Sequence, residues 1–299
     1  MSPGLLELTP RAVQNAEHWP VDAAIVRPTS QGGAGFDCCQ NEGLRIAIRS
    51  AIRQASLGAD ATVDLDRVAG ELASPIVPEK WRAVNCVESH DLVYKDRHWR
   101  IPKLADPSNS RSWYATSRSR VAHGLLLTAP GIPHLFMEQE FLEDKQWSDD
   151  PASANLLYWQ GLVDQVASGH KQMADFLRFT QELIALRKHL PGLRGEGINV
   201  FYRHNLDRVI AFHRWVPGEG AGVIVVASLA EQTRYDFRLG FTRDGFWREV
   251  FNSDVYEYWV NPHVAGNATG IHVNGPGLHG LPSAASVIIP ANAVLVFSR

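Results

Sequence analysis

Apolar residues at Leu44, Ile48, Ile52 and Ala55 are spaced to share one face of a helix. Val121, Leu125 and Leu126 belong to a second helical pattern. A third runs from about His170 to His189, with Met173, Phe176, Leu177, Leu183, Ile184 and Leu186 on its apolar side and Pro191-Gly192 to stop it. Between these stretches lie short strand-like runs at Ala12 to Ala16, Gly35 to Cys39, Ala83 to Val87 and Ile132 to Met137. Such alternation predicts a parallel sheet with crossover helices. After Gly195 the pattern changes. Val200 to Arg203, Arg208 to Trp215, Gly222 to Leu229, Phe246 to Phe251 and Ser286 to Ser298 are rich in Val, Ile and aromatics and are separated by Gly, Asn and Pro. That texture predicts an antiparallel β-sandwich, with the boundary between Leu190 and Gly197.

Composition narrows the class of protein. An apolar fraction of 45% and a charged fraction of 20% over 299 residues are those of a globular chain of one large or two ordinary domains. A net charge of -3 gives no basic field for a nucleic acid backbone, so nucleic acid is not an expected partner. No apolar run reaches the roughly 18 residues that span a bilayer, and the N-terminus does not read as a signal peptide. Cys38, Cys39 and Cys86 form neither a disulfide framework nor a metal-ligand pattern, so a reducing cytoplasm is expected, with no metal and no cofactor. The sequon at Asn267 then carries no modification.

The chemistry sits in three ordered stretches. The first is Ala16-Glu17-His18-Trp19-Pro20, continued by the segment from Pro28 to Asp37. The second is Val84-Asn85-Cys86-Val87-Glu88-Ser89-His90-Asp91. The third runs from Arg100 to Asp106 and continues from Gly131 to Phe141. In this order and spacing they resemble the fifth to eighth strands of an α-amylase-superfamily barrel, in the variant found in 1,4-α-glucan branching enzymes. Trp247 to Asp254 and Ile288 to Phe297 are similar to the β domain that follows such barrels. The resemblance implies a partial (β/α)8 TIM barrel over residues 1–194, about its last four βα units, and a C-terminal all-β sandwich over 195–299.

Taken alone, Glu17 is one carboxylate among 32 acidic residues, and Asp91 after Ser89-His90 reads as a capping turn. Ser89, His90 and Asp91 are not a hydrolase triad, because consecutive residues cannot adopt triad geometry. The resemblance changes both readings. It implies that Glu17 is the general acid/base, with its carboxyl partly desolvated beside Trp19. It also implies that Asp91 stabilises the distorted sugar ring and that His90 and Trp19 bind substrate. Trp99, Trp113, Trp147, Tyr158 and Trp159 are further aromatics able to stack on sugars, though most such rings are core. The glycines at 32, 33 and 35 make a βα turn, and His204 and His213 are expected to be structural.

Two features depart from the family pattern. The nucleophile expected in a Gly-Phe-Arg-x-Asp stretch before the acid is absent from these 299 residues, as is the third-strand Asp-x-x-x-x-Asn-His segment. Within the last strand, His134 stands where an apolar residue is usual and Glu138 where a Gly is usual; a buried Glu there is costly unless paired. The expectation is therefore an α-glucan transferase of the branching type, in a truncated and inactive form that self-associates through an open barrel edge. An α-amylase-like hydrolase and a non-catalytic glucan-binding protein remain as alternatives.

Overall fold

The computed structural model describes residues 12–74, 76–153, 158–167, 172–220, 222–256 and 265–299. Its elements in order are β1 (Asn15–Ala16), β2 (Cys38–Asn41), α1 (Glu42–Ala55), α2 (Leu65–Ala73), β3 (Ala83–Asn85), α3 (Ile101–Ala105), α4 (Trp113–Thr128), β4 (Ile132–Pro133), α5 (Gln160–Ala167), α6 (Gln172–His189) and α7 (Pro191–Arg194). Nine strands follow: β5 (Gly197–His204), β6 (Val209–Trp215), β7 (Gly222–Ser228), β8 (Arg234–Phe241), β9 (Gly245–Asn252), β10 (Gly270–Val273), β11 (Gly275–Leu278), β12 (Leu281–Ile289) and β13 (Val294–Ser298).

Strands β1 to β4 form a parallel sheet in chain order, with Ala16 beside Cys39, Asn41 beside Asn85 and Asn85 beside Pro133. This is the curved inner layer of a partial (β/α)8 barrel, with the helices outside it. The strands are shorter than their apolar runs. Gly35 takes a positive φ of 76°, which a residue with a Cβ resists, so the chain turns there and β2 starts at Cys38. Pro133 cannot donate to the ladder and ends β4 early, and His134 adds one further backbone hydrogen bond to the Asn85 carbonyl. The third helix of the sequence reading is α6; its first residue there, His170, lies outside the described residues.

The remaining strands make a six-stranded sheet, β10-β9-β13-β7-β6-β5, packed on a three-stranded one, β11-β12-β8. Strands β6, β7 and β13 are apolar on both faces, for a reason that lies in the layers. Val209, Ala211, Ile224, Val226, Leu295 and Phe297 face the second sheet, with Leu239, Phe241 and Trp247. Their alternates Ile210, Phe212, Val225, Val294 and Val296 join the core of the helices, with Ile48, Leu125, Phe176 and Phe179. The expected strand from Ser286 to Ser298 is two strands, because Pro290 and Asn292, at φ 44°, turn the chain between them. The reading also missed β8, β10 and β11, whose Arg, Asp, Gly and His residues do not form an apolar run.

Two arginines fasten the layers, Arg214 fully buried and Arg187 half-buried. Arg187 donates to the carbonyls of Leu127, Ala129 and Gly131 at 2.6 to 2.9 Å, and Arg214 to those of Thr128, Gly195 and Gly197. Cations suit the carbonyl end of α4, where the helix dipole is negative. Beside Arg214, the His213 ring stacks on Trp215 with centroids 4.7 Å apart. Burial, aided by the Arg214 charge, pushes the His213 pKa down to about 4. The unfolded chain therefore takes up this proton first, and the folded state loses stability as pH falls from about 6.5 to 4. With partial exposure discounted, the loss is about 1–2 kcal/mol. His213→Gln should flatten the decline of Tm over that interval; an unchanged decline would remove His213 as its source.

Candidate active site

The carboxyl ends of parallel strands in a barrel converge on one face, where such folds place their functional groups. Glu17 follows β1 directly, and Ser89, His90 and Asp91 lie on the loop that leaves β3. Glu17, Trp19 and Asp91 line one cleft of about 530 Å³, together with Glu42, Arg45 and Arg97. Trp19 is 41% exposed and holds the Arg45 guanidinium 5.5 Å from its ring centre, while Arg45 pairs with Glu42 at 2.5 Å. The desolvation of Glu17 by Trp19 does not appear in the structure. Glu17 is exposed, and the ring serves Arg45 instead.

His90 does not line the cleft but stands at its edge. Its Nε2 is 3.6 Å from Asp91 Oδ2, and its carbonyl accepts the Trp147 indole N–H at 2.6 Å. Both His90 and Asp91 are open to solvent. Trp147 is committed to packing, with Tyr94 and Phe136 against its ring, whereas Trp99 and Trp159 are 47% and 59% exposed.

Beneath the loop is a charged network that sequence reasoning missed. Arg100 is fully buried and donates through Nε and Nη2 to Glu88 Oε2 at 2.9 and 2.8 Å. Its Nη1 reaches Glu138 Oε2 at 3.3 Å, and its Nη2 the Met137 carbonyl at 2.8 Å. Glu88 also accepts from the Ile101 N–H at 2.6 Å, and Glu138 from the Tyr158 N–H at 2.8 Å. Glu138 is thus buried but paired. Burial first, and then Glu143, push its carboxyl above the usual range, against the pull of Arg100. Its φ is 67°, the left-handed conformation that a glycine adopts freely. Nearby, Asn41 donates to Asn85 at 2.8 Å, and Asn85 to the Pro130 carbonyl at 2.8 Å, tying the last residues of β2 and β3 to the turn that precedes β4. Only the oddity of a Glu at position 138 hinted at this layer.

Among the described residues, no group of three His, Cys, Asp or Glu side chains is placed to hold a metal, and no helix is long and apolar enough to cross a membrane.

The chain is similar to known proteins in sequence and in fold. Residues 202–299 match the family model of the alpha amylase C-terminal all-beta domain. The 1,4-alpha-glucan branching enzyme of Burkholderia thailandensis is 28% identical over 94% of this chain, which spans 31% of that protein. That of Saccharophagus degradans is 28% identical over 96% of the chain, spanning 37% of the relative. The chain therefore spans less than two fifths of the length of these relatives. Among solved structures, the alpha-amylase from H. orenii matches 99% of the chain with a TM-score of 0.60 at 17% identity, over 55% of its own length. A product complex of the glycogen-degrading pneumococcal virulence factor SpuA matches 98% with a TM-score of 0.67 at 15% identity, over 35% of its length.

Proposed function

We propose that this chain, which has the α-amylase-superfamily fold and resembles the branching enzymes in sequence, carries the acid/base side of a site that transfers α-1,4-glucan. The observation that supports this most is the meeting of Glu17, Trp19 and Asp91 in one cleft at the carboxyl ends of parallel strands. In the proposed reaction a carboxylate nucleophile attacks the anomeric carbon and the glycosidic C–O bond breaks. Glu17 gives its proton to the departing oxygen. Glu17, now ionised, then removes the proton of an incoming 6-hydroxyl as that oxygen displaces the nucleophile and forms the branch. Asp91 and His90 hold ring hydroxyls and strengthen their hydrogen bonds as positive charge develops. Hydrolysis would use the same residues with water as the acceptor.

The nucleophile has no candidate among this chain's motifs, so the 299-residue polypeptide alone should leave the iodine-staining spectrum of amylose unchanged. A fall in blue absorbance with host enzymes excluded would contradict the assignment. The setting proposed is cytoplasmic. Self-association is proposed through β1 and β4, each of which pairs on one side only among the described residues.

The division at 194/195 is also proposed. Cutting there should release a β fragment of roughly 100 residues, the usual size of a sandwich. Because Ile210, Phe212 and Val225 share the core of the helices, that fragment should self-associate once released. Uniform digestion of both halves would count against the division.

A further inference from the structure

Asp91 stands on a loop open to solvent, and its carboxylate lies 3.6 Å from the His90 Nε2, too far for a firm hydrogen bond. The direction of its side chain therefore depends on the backbone. The two peptide planes that flank its Cα fix φ and ψ, and with them the Cα–Cβ bond. Each plane is held through its carbonyl. The His90 carbonyl accepts the Trp147 indole N–H at 2.6 Å, and the Asp91 carbonyl accepts Arg97 Nη1 at 3.3 Å. The second contact is longer than an ordinary N–H···O bond and comes from an exposed side chain, so the first carries the constraint.

Trp147 can hold that plane because it is itself held. Its backbone runs beside the same loop, donating to the Val93 carbonyl at 3.2 Å and accepting from the Lys95 N–H at 2.8 Å. Its half-buried ring packs edge-on against Tyr94, with centroids 5.5 Å apart, and against Phe136 at 5.9 Å. The Phe136 ring in turn lies 5.5 Å from the Arg100 guanidinium, so the indole rests on the buried charged network. A ring packed on two aromatics keeps its N–H aimed at one acceptor.

We propose that Trp147 is a positioning residue for Asp91: through the His90 carbonyl, its indole N–H sets the peptide plane that aims the Asp91 carboxylate into the cleft. The inference rests on the proposed function, in which Asp91 acts on the sugar ring. Trp147→Phe tests it, since this change keeps an aromatic ring and removes the donor. Tyr94→Phe is the control, because it removes the hydroxyl bond to Asp149 from the same loop and leaves the His90 carbonyl alone. In the isotope-labelled 299-residue chain, the indole N–H signal lost in Trp147→Phe should exchange with solvent at least about tenfold more slowly than those of the exposed Trp99 and Trp159. The His90 carbonyl carbon should move upfield in Trp147→Phe and stay in place in Tyr94→Phe. Exchange as fast as that of Trp99, or an unmoved carbonyl, overturns the proposal. With the nucleophile-bearing segment of a branching enzyme supplied by fusion or co-expression, Trp147→Phe should lower kcat about tenfold with KM unchanged. The loss should be equal on amylose and on α-maltosyl fluoride, and Tyr94→Phe should show none. Added to Asp91→Asn, Trp147→Phe should cost less than about twofold more, because the group it positions is already disabled. Full activity in Trp147→Phe beside an impaired Asp91→Asn overturns the positioning role and leaves the cleft reading standing. A loss that multiplies with that of Asp91→Asn, or one confined to amylose, overturns it as well. Full activity in Asp91→Asn overturns the cleft reading itself, and the positioning role falls with it.

Discussion

Glu17→Gln should lower turnover of amylose by more than about 100-fold, the scale of removing a general acid, once the nucleophile-bearing segment of a branching enzyme is supplied by fusion or co-expression. The amide keeps the shape of the side chain and so keeps glucan binding, but it has no acidic proton for the departing oxygen. Asp91→Asn in the same assembly should lose a comparable factor through a different route, because the lost charge faces the sugar ring in the proposed mechanism. Both variants should retain binding of the ground state, and the choice of leaving group separates them. Initial rates on amylose, read as reducing ends and as iodine absorbance, check the loss. Near-normal rates in Glu17→Gln would dissolve the match of this chain to the barrel's fifth strand.

The second large effect is on stability. Arg100→Ala should cost about 3–5 kcal/mol, because it strands two buried carboxylates whose charges then have no partner. Glu88 and Glu138 are 1% and 3% exposed, so water cannot take over the role of the guanidinium. For a domain of this size the loss corresponds to roughly 10 °C in Tm. Replacing Arg100, Glu88 and Glu138 together by apolar residues should recover part of it, since the unpaired charge is what costs most. Circular dichroism melts of the single and triple variants give the comparison. A single variant that melts like the parent would show that the network is not closed in solution.

The helices were legible because their signal is local: Leu44, Ile48 and Ile52 repeat with the helical period, and all three are buried in the core. Both faces of β6, β7 and β13 being apolar gave those strands away, while β8 hid because Arg234, Asp236 and Arg238 interrupt its apolar positions. At the site, the ordered motifs named Glu17, Trp19 and Asp91, which the structure gathers in one cleft although more than 70 residues separate the first from the last. The use of Trp19 by Arg45 was not legible, because it depends on how α1 packs beside β1. Arg100 stayed hidden for a similar reason: its carboxylates lie 12 and 38 residues away, and a buried ion pair leaves no periodic trace. Glu138 was visible only as an anomaly. Its left-handed backbone and its Arg100 contact turn that anomaly into part of the network.

The most direct test of the proposed acid/base role compares two substrates in the completed Glu17→Gln assembly. Amylose needs a proton at its departing oxygen, whereas an α-maltosyl fluoride releases fluoride with no such help. Fluoride release should stay within about tenfold of the parent assembly while amylose turnover falls by more than about 100-fold. An equal loss on both substrates, or no loss on either, would contradict the assignment of Glu17 as the acid.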